Sequence, residues 1–112
     1  MNTADRAAEH QEFWDVAEPF LGSGRLVEGT MMGHQCLRSA ATNGFVATLE
    51  RSSGKLVVKL PRARVAELVE AGEGAPFAPA GKVFREWVAL LDADEARWAA
   101  LVEESIEFVD AS

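Results

Sequence analysis

The stretch "KLVVKLPRARVAELVEAG", residues 55–72, changes its period in the middle. In the first half Leu56, Val58 and Leu60 alternate with Lys55, Val57 and Lys59, the two-residue period of a strand with one face on a core and the other toward solvent or a partner. Pro61 removes a backbone donor and ends that strand. Beyond it Val65, Leu68 and Val69 recur at helical spacing, and Gly72 stands where a short helix closes on a left-handed residue. A strand running straight into a helix means that both element types share one fold, and the order of the elements on either side decides the class.

Upstream, residues 4–21 read as an amphipathic helix. Ala7, Phe13, Ala17, Phe20 and Leu21 fall on one side, and Asp5, Glu9, Glu12 and Asp15 on the other. Thr3 is the expected N-cap, Pro19 is expected to tighten or kink the last turn, and "GSG" (22–24) ends the element. Four runs of strand character follow: "RLVEGTMM", "QCLRSA", "GFVATLER" and "KLVVKLP". The second and third are joined through Asn43-Gly44, a pair suited to a tight hairpin, and the third and fourth through "SSG" ending at Gly54.

Downstream, "EGAPFAPAGK" is a Gly/Pro loop with a short edge segment around Phe77. "VFREWVALL" is a further strand, in which Arg85, Trp87 and Ala89 share one face and Phe84, Val88 and Leu90 the other. Asp92 and Glu95 form a D-x-x-E start for a last helix with the stripe Trp98, Leu101, Val102, Ser105, Phe108 and Val109. The expected architecture is a single two-layer α+β domain over residues 1–112, an antiparallel sheet flanked by helices in the order helix, three or four strands, helix, one or two strands, helix.

Bulk properties narrow the functional classes. At 112 residues, 48% hydrophobic, the chain matches one ordinary domain with one core. The opening "MNTADRAAEH" has no apolar h-region and no apolar run is long enough to span a bilayer, so the expected location is the cytoplasm, with no membrane partner. The only cysteine, Cys36, excludes an intramolecular disulfide and every Cys-rich zinc pattern. No metal site and no cofactor is expected.

Nucleotide motifs fail on spacing. Gly54-Lys55 and Gly81-Lys82 have Leu49 and Pro76 where a phosphate-binding loop needs its first glycine, and Val27 takes the third glycine position of G-x-G-x-x-G. His34 and Cys36, two apart, share a strand face, but neither a base-orienting group nor further ligands can be named for them. No acid–base or nucleophile set is recognisable, and the chain is not expected to be an enzyme.

Several segments together resemble a known group. These are "MMGH" (31–34), Gly44-Phe45 after the hairpin, "LVVKLP" (56–61) running into a helix, "PFAPAGK" (76–82), "EWV" (86–88), and a closing helix with Trp98, "LVEES" (101–105) and Phe108-Val109. In that order and spacing they resemble the MmcQ/YjbR-like proteins and the related N-terminal domain of TfoX/Sxy competence regulators, over roughly residues 20–110. The resemblance implies a helix-flanked antiparallel sheet of the secretion-chaperone-like type, in the order α-β(3)-α-β(2)-α, and a non-enzymatic role. It also implies a DNA-binding mode, through paired β wings that would here be "SAATNGF" and "ERSSGKL".

Two surfaces are candidates for function. Net charge is −7, yet it is unevenly spread: residues 51–64 carry Arg51, Lys55, Lys59, Arg62 and Arg64 and no acid, while residues 86–112 carry eight acids against Arg97. The five bases are either a DNA-contact surface or one half of an internal charge match with Glu103, Glu104 and Glu107, and the net charge disfavours the former. The other candidate is Phe77, Arg85 and Trp87, a tryptophan beside an arginine having the composition of an anchor for a protein partner or for self-association. The alternative for Trp87 is that it covers the second face of the sheet under a loop.

Overall fold

The computed structural model describes residues 3–31, 34–50 and 54–112, with residues 3–9, Met31 and His34 as backbone only. The elements are α1 (Thr3–Gly22), β1 (Leu26–Met31), β2 (His34–Ser39), β3 (Phe45–Leu49), β4 (Leu56–Lys59), α2 (Arg62–Glu70), β5 (Gly74–Phe77), a 3₁₀ turn (Pro79–Gly81), β6 (Phe84–Leu90) and α3 (Glu95–Ala111). The fold is α+β, in the order α-β4-α-β2-α. Four strands, not three, precede α2, because β1 pairs with β2 along its whole length, from Leu26↔Ser39 to Met31↔His34. All six strands join one antiparallel sheet in the order β1-β2-β3-β4-β6-β5.

The alternation that begins at Leu56 decides which face is covered. Leu56, Val58 and Leu60 are buried together with Val88 and Leu90 of β6, Val65 and Leu68 of α2, Trp98, Leu101 and Val102 of α3, and Phe13, Ala17 and Phe20 of α1. All three helices therefore pack on one face of the sheet. Ile106, which the sequence pattern passed over, belongs to this core with Val109, while Phe108 is only partly buried.

Local chemistry sets the element ends. Helix α2 closes as expected: Gly72, at φ +78°, donates its N–H to the carbonyl of Val69 at 3.1 Å, and Glu73 donates to Leu68 at 3.0 Å, the paired bonds of a Schellman motif. Helix α1 ends in the same way at Gly24, and Pro19 lies inside it without ending it. That helix is not continuous, since His10 has φ −144° and ψ 57° and its ring packs on Gly54 at the tip of the β3–β4 hairpin. Thr3 is the first residue of α1 rather than its cap. For α3 the cap is Asp94 instead of Asp92, its carboxylate accepting from the Arg97 N–H at 3.0 Å.

The β2–β3 connection is wider than a two-residue turn. Asn43 donates to the Ser39 carbonyl at 2.8 Å and is alone in the left-handed region, while Ser39 Oγ accepts from the N–H groups of Ala41 and Thr42. Gly44 is required for a different reason: a Cβ there would lie 2.5 Å from Val109 Cγ1, so its hydrogen lets α3 close on the hairpin.

Candidate functional site

The second face of the sheet carries a smaller core. Val57, Trp87 and Ala89 are buried there, with Phe45, Phe77 and Phe84 packed against them. The expectation that the non-core face of β4 meets solvent or a partner is corrected at Val57, which is 0% exposed. Trp87 is 8% exposed, against a Phe77 ring 6.4 Å away, so it covers this second face as well as any surface it offers.

Phe84 is also corrected. It belongs with Phe77, 6.1 Å from it, and not with Val88 and Leu90. The reason is a register break between β5 and β6. Gly74, Ala75 and Pro76 pair with Leu90, Ala89 and Val88, but the next residue, Phe77, pairs with Phe84, so Arg85, Glu86 and Trp87 have no register partner on β5. Simple alternation cannot be extrapolated through such an irregularity.

The break opens a groove of about 530 Å³ between the bulged start of β6 and the outer side of α2. Its walls are Ala63, Val65, Ala66 and Val69 of α2 and Pro76, Val83, Phe84 and Trp87 from the strands, and its charged lining is Arg62, Glu70 and Arg85. Val83 is 49% exposed there, the highest value among the large hydrophobic residues described. Two of the three partner-binding candidates, Arg85 and Trp87, thus line one cavity. The third, Phe77, packs behind Trp87 and does not line it.

Of the five bases of 51–64, the four that are described are not gathered on one surface. Arg51 lies outside the described residues. Lys55 precedes β4, and Lys59 is the register partner of Trp87 on the second face. Arg62 faces the groove. Arg64 turns to α3, its Nε and Nη2 donating to both carboxylate oxygens of Glu104 at 2.9 and 3.1 Å and its Nη1 to Glu67 at 3.2 Å. At Arg64, then, the internal match anticipated for this stretch is present. Glu103 takes a different partner, Arg25, whose hydrogen bond holds its carboxylate below the usual range. Arg97 is engaged by Glu73 at 2.9 Å.

Arg62 and Arg85 differ from these. Both are exposed, and among the described residues neither makes an ion pair or a side-chain hydrogen bond.

No protein-family model, curated protein or solved structure matches the chain. The chemistry must be read from the residues themselves. Cys36 is buried, and burial pushes its thiol pKa up against the opposing influence of Arg38, which keeps the nucleophilic thiolate scarce. The Arg38 guanidinium lies 4.4 Å over the Phe45 ring and Nη2 donates to the Thr30 carbonyl, so it is a packing group on the same face. Met32 and the His34 side chain lie outside the described residues, and among those described no group of three or more His, Cys, Asp and Glu is placed to hold a metal. No helix among them is long and apolar enough to cross a membrane.

Sequence reasoning found Trp87, Arg85 and Arg62, but missed Val83, Phe84, Val69 and Ala66 as walls of the same cavity. The available signal was Pro76, which cannot donate to the sheet ladder and so marks where β5 and β6 part.

Proposed function

We propose that this chain is a non-catalytic binding module of the MmcQ/YjbR-like group, related to the TfoX/Sxy N-terminal domain, that acts in the cytoplasm through a protein partner or through self-association. The observation that carries this reading is the apolar groove between α2 and β6, with Trp87 in its wall and two lining arginines, Arg62 and Arg85, that make no ion pair among the described residues. Concave, mostly apolar and cut by a few polar groups, it has the make-up of a recognition site, and its volume is within the usual range for one. Supporting it are the helix-backed antiparallel sheet and the segments from "MMGH" to the closing α3 helix.

The test is a capture experiment from bacterial lysate with the wild-type protein beside Arg85→Ala and Val83→Asp variants, both exposed changes that leave the core intact. Partners recovered by the wild type and lost from both variants support the reading. If every partner persists on both variants, the groove is not the contact surface.

A second reading, a DNA-binding regulator, draws on Lys59, the register partner of Trp87, and on Arg62, with Lys55 just before the same strand. Arg64 is spoken for by Glu104, which leaves that surface with fewer cations than the five in the sequence stretch. Anisotropy of labelled duplex DNA over a salt series checks it, since binding that does not weaken with salt contradicts phosphate contact.

A further inference from the structure

The groove is electrically polarised along its length. Leu60 donates its N–H to the carbonyl of Glu86 at 2.9 Å, which fixes the end of β4 beside the start of β6. Arg62 follows two residues after Leu60, and Arg85 immediately precedes Glu86, so both arginines stand at the same end of the groove. Among the described residues the one acid in the lining, Glu70, is the last residue of α2, roughly 12 Å away at 1.5 Å per residue. Between them the lining is apolar: Ala63, Ala66, Val69, Val83, Phe84 and Trp87.

A second groove sharpens the contrast. Between α1 and α3 a cavity of about 570 Å³ is lined by Asp15, Glu95 and Glu103, and its one cation, Arg25, is already bound to Glu103. Most acids of this −7 chain lie on the helices. The α2–β6 groove is where apolar surface and uncommitted positive charge coincide.

Resting on the binding-module reading above, we infer that the groove takes a peptide segment of a protein partner in which apolar side chains are followed by a carboxylate. The apolar side chains lie along Val69, Phe84 and Trp87, and the carboxylate sits between Arg62 and Arg85. A peptide that places its acid at the other end meets Glu70, so the polarity of the groove also sets the direction of the chain. Arginine forks suit a carboxylate better than a point charge does.

The experiment uses the whole chain and a random peptide library displayed on phage, selected against the wild type and, in parallel, against an Ala66→Trp variant. Ala66 is exposed, so the indole fills the groove without entering the core, and a thermal melt of the variant checks that it folds. A selected peptide is then labelled and titrated by fluorescence polarisation against wild type, Arg62→Glu, Arg85→Glu and the double variant. The expected result is enrichment of sequences with apolar residues next to Asp, Glu or a free C-terminus. They bind the Ala66→Trp variant poorly, lose affinity about tenfold in the double charge reversal, and weaken as salt is raised.

Peptides that need the open groove but show no acid and no response to charge reversal overturn this inference while leaving the binding-module reading standing. Peptides that bind the Ala66→Trp variant as well as wild type, or no enrichment by a wild type that sediments as a monomer, overturn both. A wild type that sediments as a dimer, and becomes monomeric with Ala66→Trp, makes the occupant a second copy and overturns the peptide assignment.

Discussion

Trp98 and Trp87 sit on opposite faces of one sheet and do different work. Trp98, 1% exposed, is buried in the core between the sheet and the helical layer, and its indole N–H donates to the Asp92 carbonyl at 2.9 Å. Trp87 has a shallower setting: a few aromatic neighbours on one side, and the groove on the other. A core with a helical layer above it has every contact turned inward, whereas a cluster on the second face keeps a part of its apolar surface available. The difference shows how a small α+β domain can close one aromatic residue fully into its core and leave another beside an open groove.

The comparison breaks if the two tryptophans prove equal. Trp98→Ala is expected to cost about 3–5 kcal/mol, the range for a large aromatic removed from a closed core, and Trp87→Ala about 1–2 kcal/mol, because fewer packed neighbours are lost. Urea unfolding of both variants checks this, and matching losses would mean that the second face is as tightly built as the first.

A finer probe of the helix-covered side is Gly44→Ala. The new methyl would meet Val109 Cγ1 at 2.5 Å, and overpacking of this kind costs about 1–3 kcal/mol. Val109→Ala makes room, so the double variant should lose less than the two single losses added together. Simple additivity in a double-mutant cycle would show that α3 does not close on the hairpin at this point.

The same closure explains what the sequence conveyed and what it did not. The strand-to-helix switch at Pro61 and the stripes of α2 and α3 were legible because each depends on spacing within one element. Four runs of strand character were legible too, but that all four pair into one sheet follows from β1 lying along β2, a contact between elements. Phe84 was assigned to the wrong face because the β5–β6 register break lies in the pairing and not in either strand alone. The groove was half legible for the same reason: Arg85 and Trp87 come from one strand and could be named, whereas Ala66 comes from the outer side of a helix that looked like ordinary surface, and Val69 was read into that helix's apolar stripe but is only partly buried. The role of Gly44 was misread as a turn requirement because its constraint comes from Val109, 65 positions along the chain.

The smallest expected effect separates two arginines that look alike in the sequence, Arg62 and Arg64. Arg64 forks onto both oxygens of Glu104 and reaches Glu67, joining α2 to α3 across the helical layer. Its side chain is 28% exposed, so part of the pairing is screened, and Arg64→Ala is expected to cost about 1 kcal/mol or less. Arg62 has no ion pair among the described residues, and it opens a helix whose positive end gains nothing from a cation. Arg62→Ala should therefore leave stability within about 0.5 kcal/mol of the wild type, or raise it slightly. Chemical denaturation of the two variants side by side checks the pair. A loss at Arg62 as large as that at Arg64 would mean that Arg62 is held by the fold, and its charge at the mouth of the groove would then need no partner to explain it.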